Sequence, residues 1–495
     1  MNKKIYLWFL LLPMAITTLS SCKKLLEIEE TDFIGGATAL RTVQNNQSLL
    51  IGAYAALSLG ANDNGTTEAN DMPIMLNGVF SDELRTGTFY SANTTHEWQF
   101  APDDVGIRDN YRATVVYYRV IDRVNRVLQA LPDAIAEEDS DEALRSQITG
   151  EALFLRAFAH FELYRFYCGN YDPNGLGMAY VEEPTLEGLS RISMGEYFQL
   201  LLRDLEASKT LVPNNLNDIY RTNRLAVTGL QARVALYMRQ WETAVTHSSE
   251  FIEAIPLSPR AEFDGIWRDD NNNELAWKLS RVNTNRMGSF YRGLFVRNAA
   301  GDLQAPSISW IPSSKLWEAY DQSNDIRFSS YLINEPAVAN LTPVFGRLVH
   351  KHAGSGYATN NENVADIKIF RTGEMYLIRA EARAELGAFT GANSAESDLN
   401  TLRAARITGY ANENITSQQE AIDEVIAERF KELAFEGHRF WDLRRRGLPV
   451  ERFAADAPST QGTTLPAGNF RFLLPIPQSE RLANPDMQQN PGYTE

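Results

Sequence analysis

Aromatic rings and polar side chains that could hold a sugar occur together in one short stretch of the chain. Residues 81–98 contain Arg85, Tyr90, Asn93 and Trp98. A sugar ring presents an apolar C–H face bordered by hydroxyls, so proteins bind it with flat exposed rings and with Arg, Asn, Asp or Gln side chains. This stretch supplies both kinds of group, which favours a carbohydrate-binding site.

A second set of aromatic residues lies within residues 260–370. The candidate ligand contacts in this set are Trp267, Trp277, Tyr291, Trp310 and Trp317. The first candidates to test from both sets are Arg85, Trp98, Tyr291 and Trp310. A single tryptophan is more often a core residue than a binding platform, but for the whole set we expect at least two rings to be exposed in one concave patch.

Residues 428–446 hold the densest group of ionisable side chains, which could suggest a catalytic cluster. It contains Glu432, Glu436, His438 and Asp442. On a helix the two glutamates lie one turn apart, and oppositely charged neighbours at this spacing form ion pairs. The arginines available as partners are Arg429, Arg439 and Arg444. We therefore interpret this segment as an ion-paired helix end, not as a catalytic site.

Other catalytic and metal-binding patterns are weak. His350 and His352 could share one face of a strand, but a metal needs three or four ligands and no Cys or carboxylate cluster accompanies them, so an exposed loop is favoured. Cys168 lies on an apolar helix face without a nearby His, which argues against a reactive thiol. The chain has no phosphate-binding Gly-Lys-Ser/Thr loop and no Gly-x-Ser-x-Gly elbow. We predict no metal and no cofactor.

Composition limits the possible partners. The chain has 495 residues, with 63 Asp and Glu against 47 Lys and Arg and a net charge of −16. A surface this acidic repels nucleic acid, so we predict no nucleic-acid partner.

The N-terminus reads as an export signal. Residues 1–4 are basic, residues 5–19 form an apolar run of 15, and small residues follow. A membrane-spanning helix needs roughly 20 apolar residues, so this run indicates a signal peptide over residues 1–21.

The signal peptide ends in the sequence Leu-Ser-Ser-Cys, which resembles a bacterial lipobox. Cys22 would then be acylated and anchor the protein, and residues 22–40 would form a tether to a single domain over residues 41–495. The alternative is a plain secretion signal followed by an incidental cysteine.

Helical periodicity dominates the rest of the chain. Helices are predicted over residues 41–59, 110–131, 142–168, 194–211, 224–239, 241–254, 371–387, 393–406 and 418–446. The clearest pair, 226–239 and 241–254, resembles a tetratricopeptide-type hairpin, although no strict 34-residue period is present. Two segments rich in Asn, Gly, Pro, Ser and Thr, near 60–107 and 260–370, predict loops and short strands laid over this frame.

Several C-terminal motifs together resemble the SusD/RagB family. RTGEMYLIRAEA spans residues 371–382, LNTLR spans 399–403, and ERFKELAFEGHRFWDLRR spans 428–445. The closing LPIP at 474–477 and NPGY at 490–493 complete the set. Together with the lipobox, these motifs extend the resemblance over essentially the whole mature chain.

The resemblance implies a mostly α-helical fold in which four tetratricopeptide-like hairpins support an irregular ligand-binding half formed by the two insertions. It implies a lipid-anchored, surface-facing protein of the Bacteroidetes outer membrane. Such proteins cover a SusC-like TonB-dependent transporter, capture an oligosaccharide or a peptide, and pass this nutrient on for import. They are binders, not enzymes, and their ligand contacts come from the two insertions.

Three alternatives to glycan capture stay open. Peptide capture would need backbone donors, backbone acceptors and roomy pockets instead of an aromatic platform. A surface glycan hydrolase would need a pair of carboxylates at a defined separation, for which Asp82, Glu83, Asp103 and Asp104 are candidates. A repeat scaffold that binds only proteins would show no small ligand.

Overall fold

A computed structural model describes residues 39–58, 71–87, 95–104, 107, 111–282, 310–335, 346–355 and 364–493. The predicted signal peptide, Cys22 and all but the last two residues of the tether lie outside the described residues, as do Tyr90, Asn93 and Tyr291.

The frame is helical, as predicted. Its helices are α1 Val43–Ser58, α2 Asp71–Phe80, α3 Ala113–Ala130, α4 Asp141–Tyr167, α5 Met194–Leu211, α6 Arg224–Met238, α7 Trp241–Ala254, α8 Phe263–Arg268, α9 Ser314–Glu318, α10 Ile326–Tyr331, α11 Thr372–Glu385, α12 Ala395–Arg406, α13 Gln418–Glu432, α14 Arg439–Arg446 and α15 Gln478–Ala483. Four short two-stranded antiparallel ribbons accompany them: β1 Leu84–Thr86 with β3 Trp310–Pro312, β2 Leu275–Leu279 with β6 Ile367–Arg371, β4 Leu332–Asn334 with β5 Arg347–Val349, and β7 Val450–Glu451 with β8 Thr464–Leu465.

Consecutive helices pack on one another. The helix α3 lies against α4, α4 against α5, and α6 against α7, which also packs on α11. At Gly150 the backbone of α4 comes so close to the end of α5 that a Cβ would lie 2.8 Å from the Cβ of Leu211. The predicted hairpin is present as α6 and α7, joined through Arg239 in the left-handed conformation (φ 58°). Its tetratricopeptide-like character stays a prediction.

Two sequence predictions about elements are wrong. The two segments predicted as loops and short strands contain helices as well: α8, α9 and α10 lie in 260–370, and 60–107 holds α2, in which all ten residues are buried. Because it is buried on every side, it lacks the one-sided apolar stripe by which a surface helix is detected.

The predicted helix 418–446 is two helices, α13 and α14, separated by residues 433–438. Phe435 and Gly437 adopt φ values of 62° and 83° in this break, a left-handed conformation that ends a helix. A Cβ at Gly437 would lie 2.9 Å from the backbone carbon of Pro73, so α2 packs directly into the break.

A buried ion network is centred on the carboxylate of Glu432, the last residue of α13. This carboxylate accepts hydrogen bonds from Arg371 at 2.5 Å, from Arg406 at 3.0 Å and from Arg327 at 3.0 Å. All four side chains are buried. Burial alone would raise the pKa of Glu432, but the three guanidinium groups hold it well below its usual value.

The network extends one turn in each direction along the chain. Glu428 accepts from Arg403 at 2.7 Å, and Glu436 accepts from Arg371 and from Lys351, each at 2.7 Å. These acids are therefore engaged in ion pairs, as predicted for residues 428–446, but these partners come from other elements and not from Arg429, Arg439 or Arg444.

Replacing Glu432 with Gln leaves three buried guanidinium groups without their shared anion, so we expect Glu432→Gln to lower the free energy of unfolding by about 3–5 kcal/mol. The matched control is Glu424→Gln on the same helix, because Glu424 also pairs with an arginine, Arg403 at 2.6 Å, but is 41% exposed. For the control we expect a loss below about 1 kcal/mol. Urea denaturation measures both, and equal losses would contradict the central place of Glu432.

The network also predicts a pH dependence. The folded-state pKa of Glu432 lies below its unfolded value, so this group stabilises the fold above the unfolded pKa and loses that contribution as the pH falls through the folded pKa. We expect the unfolding free energy of the wild type to fall from about pH 5 downward, and more steeply than that of Glu432→Gln. Parallel pH profiles for the two proteins would count against this account.

Candidate functional site

The ribbon of β1 and β3 brings the two insertions together. Thr86 is paired with Trp310 and Leu84 with Pro312, so the end of β1 lies beside the start of β3. Residues 88–94 follow β1 and residues 283–309 precede β3, so both segments join the frame at the same end of the ribbon. We call this end of the ribbon, with Arg85 and its neighbours, the ribbon site.

Arg85 is partly exposed and only weakly held by the protein, although its Nε is buried. Its side chain is 20% exposed, and its Nη1 donates to the Asp456 carboxylate at 3.4 Å. The Arg85 Nε has no hydrogen-bond partner among the described residues. Asp456 is held in place by the backbone N–H groups of Ser314 at 2.8 Å and Lys315 at 3.1 Å. A guanidinium carries five N–H donors, so most of those on Arg85 are not used by Asp456.

Asp456 belongs to a C-terminal segment in which the sequence showed no motif. The turn that carries it begins at Phe453, whose carbonyl accepts from the Asp456 N–H at 2.9 Å and whose side chain is 45% exposed. Gln461 in the same segment accepts a hydrogen bond from Gln99. Asp456, which contacts Arg85, and the exposed Phe453 therefore lie in one turn, and neither was a sequence candidate.

An open groove of about 410 Å³ adjoins the ribbon site. Lys315, whose backbone contacts Asp456, lines it together with Phe430 and Arg439 from α13 and α14. This volume lies within the range of small-molecule sites, roughly 300–1,000 Å³.

Trp98 is part of the core, which corrects its expected role as an exposed platform. Its side chain is 2% exposed, and its indole N–H donates to the carbonyl of Phe80 at 2.9 Å. The guanidinium of Arg452 lies 4.2 Å from the ring centroid, so one face of the ring is already covered. Arg452 in turn donates to four backbone carbonyls, including those of Val79 and His96, and burial lowers its pKa to about 9.

The other candidate tryptophans are also buried. Trp310 packs edge-on against His96 at 5.1 Å, and Trp277 meets the ring of Phe158 at 5.1 Å. Further ring partners are Lys351 for Trp267 and Phe328 for Trp317. Two exposed tryptophans in one patch are therefore not found among the described residues, because these large apolar rings pack into the core, whereas Tyr90, Asn93 and Tyr291 lie outside the described residues.

The histidine pair does not lie in an exposed loop, contrary to expectation. Lys351 and His352 are buried, and the Lys351 ammonium donates to the carbonyl of Ala434 at 2.7 Å. Burial lowers the pKa of His350 and of His352 to about 3, so both imidazoles are neutral at pH 7. Within the described ranges, no group of three or more His, Cys, Asp or Glu side chains is placed to hold a metal.

Two of the four candidate acids of a hydrolase, Asp82 and Glu83, are engaged within the fold, whereas Asp103 is exposed. Asp82 is buried and accepts from Arg439 at 2.8 Å and from Lys315 at 2.7 Å. Glu83 is fully buried, and burial raises its pKa to about 8, so it is mainly protonated at pH 7. Among the described helices, none is long and apolar enough to cross a lipid bilayer.

Comparison with protein families gives two matches on this chain. Residues 309–493 match the model described as the SusD family, and residues 55–236 match one described as starch-binding associating with outer membrane. A SusD-like protein P38 of Formosa agariphila is 24% identical over 99% of both chains. The starch-binding protein SusD of Bacteroides thetaiotaomicron is 33% identical over 131 residues, 26% of this chain and 22% of that protein.

Solved structures show the same fold. A SusD superfamily protein of Bacteroides thetaiotaomicron superposes with a TM-score of 0.77 at 21% identity, covering 91% of this chain and 100% of that one. Surface glycan-binding protein A of the same organism, in complex with laminarihexaose, gives a TM-score of 0.71 at 20% identity over 91% of this chain and 99% of that one.

The burial of Trp98 predicts a stability effect. Removing a buried indole that fills the space between Arg452 and the end of α2 should leave a cavity, so we expect Trp98→Ala to cost about 3–5 kcal/mol of unfolding free energy. Phe453→Ala, at a half-exposed ring, is the control and should cost clearly less. Chemical denaturation measures both, and an unchanged midpoint for Trp98→Ala would return this ring to the list of binding candidates.

Proposed function

Because the chain belongs to the SusD/RagB family, we propose that it captures an oligosaccharide at the ribbon site and passes it to a SusC-like TonB-dependent transporter. The single observation that carries the proposal is the register of β1 and β3, which joins both insertions to the frame at one end of the ribbon. The names of the matched family and of two similar proteins refer to starch or glycan binding, which supports a carbohydrate ligand.

The chemistry of the ribbon site suits sugar hydroxyls. The Arg85 side chain is 20% exposed and offers donors beyond the one that Asp456 accepts, and the half-exposed ring of Phe453, in the turn that carries Asp456, offers an apolar face. Hydrogen bonds from a charged donor are stronger than neutral ones, so Arg85 is the first residue of the site in our proposal. Tyr90, Asn93 and Tyr291 stay candidates, since their segments begin or end at this ribbon.

Capture is proposed to occur without catalysis. Asp82 is buried and neutralised by Arg439 and Lys315, and Glu83 is mainly protonated and enclosed. Neither carboxylate is free to act on a glycan, which supports a binder. Release to the transporter then follows from movement of the whole protein on its partner.

Anchoring is proposed to occur through Cys22. Residues 1–21 would be removed as a signal peptide, Cys22 would carry the acyl chains, and residues 22–40 would tether the domain to the cell-surface face of the outer membrane. Each buried methylene contributes about 0.8 kcal/mol, so two or more acyl chains hold a protein firmly.

Calorimetry tests the ligand and the site together. The chain from residue 23 onward is titrated with a panel of polysaccharides and oligosaccharides and with a mixed peptide pool. We expect a glycan to bind without product formation, and Arg85→Ala to weaken that binding at least tenfold, the value of a hydrogen bond to a charged group (about 1.5–3 kcal/mol). The control is Arg126→Ala, an exposed arginine paired only with Asp122 on α3.

The outcomes separate the alternatives. A peptide that binds while no glycan does would replace glycan capture by peptide capture, and product formation would establish an enzyme. A glycan that binds Arg85→Ala and wild type equally would remove the ribbon site from the proposal.

The anchor has its own test. We expect the full-length protein, expressed in a Bacteroidetes host with a clickable palmitate analogue, to be labelled and to sediment with the outer membrane. Cys22→Ala should lose the label and leave the membrane fraction. Cys168→Ala is the control at the other cysteine, which is buried; retention of label by Cys22→Ala would refute lipidation at Cys22.

A further inference from the structure

A second cleft of about 250 Å³ opens between α3, the segment 179–189 and α15. We call it the acidic cleft, because its charged lining residues are all acids. They are Asp122, Glu183, Glu187 and Glu480. None of them belongs to the ribbon site, and the proposed glycan capture does not use them.

Most of this negative charge is not neutralised. Asp122 pairs with Arg126 at 2.9 Å on the exposed surface of α3. Glu183, Glu187 and Glu480 form no ion pair with any residue that the structure describes. A concave site lined by charges of one sign concentrates the field and attracts ions of the opposite sign.

Glu480 and Thr114 give the cleft a polar floor. Burial raises the pKa of the Glu480 carboxyl, which is half-buried and has no cation beside it. Thr114 is 1% exposed and lines the cleft, and its hydroxyl lies near Glu480 without a hydrogen bond of standard geometry to any described residue. A buried polar atom without a partner costs free energy. A ligand with several N–H donors would satisfy both oxygen-bearing groups at once.

The apolar walls and the small volume of the cleft limit which ligands can fit. Ile121, Val181, Leu189 and Met487 line the cleft with apolar side chains, and Tyr118 is fixed there by a 3.0 Å hydrogen bond to the carbonyl of Ala179. A cleft of about 250 Å³ is smaller than typical small-molecule sites of roughly 300–1,000 Å³. It suits one lysine or arginine side chain, whose apolar stem would contact the walls while its charged head reaches Glu480.

The surface around the cleft indicates that this side chain comes from a protein. Leu186, between the lining residues Thr185 and Glu187, is fully exposed, and Leu482 on α15 is 77% exposed. Val115, which lines the cleft, is also exposed. A free amine would leave these apolar groups in water, whereas a protein segment would cover them.

We propose that the acidic cleft binds a segment of a partner protein that inserts one lysine or arginine side chain toward Glu480 and covers Leu186 and Leu482 with apolar neighbours. This site is independent of the ribbon site, because the two share no lining residue.

The test uses the chain from residue 23 onward and three probes: acetyl-Leu-Arg-Leu-amide, acetyl-Leu-Gln-Leu-amide and agmatine, a free guanidinium. Ligand-observed NMR titrations measure their dissociation constants. We expect the arginine peptide to bind at least tenfold more tightly than either other probe. Glu480→Gln should lower the affinity for the arginine peptide at least fivefold. The control is Glu242→Gln, which should leave this affinity unchanged, because Glu242 is exposed at the start of α7 and forms no ion pair with a described residue.

Each other result overturns the proposal. If the arginine and glutamine peptides bind equally, or if neither binds, the cleft does not select a basic side chain. If agmatine binds as tightly as the arginine peptide, the apolar neighbours contribute nothing and a protein partner is contradicted. If Glu480→Gln lowers the Tm, Glu187→Gln at the exposed rim takes its place, and full affinity in that variant would count against the cleft. Glycan affinity measured on the same variants should not change, so failure here is distinguishable from failure of the ribbon site.

Discussion

The carboxylate of Glu432 is the point at which separate parts of the chain are forced to meet. Moving a charge out of water is expensive, so the buried Arg327, Arg371 and Arg406 each require an anion at close range. One carboxylate serves all three. The elements that carry these arginines, α10, β6 and α12, are therefore fixed against the end of α13.

The ribbon site depends on that arrangement through α14. The chain breaks after Glu432, accommodates Pro73 of α2 against Gly437, and continues into α14, where Arg439 binds the buried Asp82. Residues beyond α14 supply Asp456, which contacts Arg85 and the start of α9. Residues that follow the break therefore contact the chain at the ribbon: Arg439 binds Asp82, two residues before β1, and Asp456 binds Arg85 within it.

How much of this could be predicted from the sequence differs from feature to feature. The hairpin of α6 and α7 was predictable because helical spacing is a local property. Ion pairing of Glu432 and Glu436 was predicted too, but with arginines of their own segment, whereas the actual partners, such as Arg371, are distant in sequence. The helix α2 was missed because a fully buried helix has no polar face. Trp98 and Trp310 were chosen by residue type, but whether a ring faces solvent depends on partners distant in sequence, such as Arg452 and His96. Asp456 and Phe453 carried no motif at all.

The register of β1 and β3 has a consequence for how such a protein can diversify. Thr86 and Trp310 lie opposite each other in the ribbon, so residues 88–94 begin, and residues 283–309 end, at the same place in the fold. A change in the length or composition of either segment therefore alters the chain at this one place. Two segments that are far apart in the sequence are thus exposed to selection at a common point of the fold.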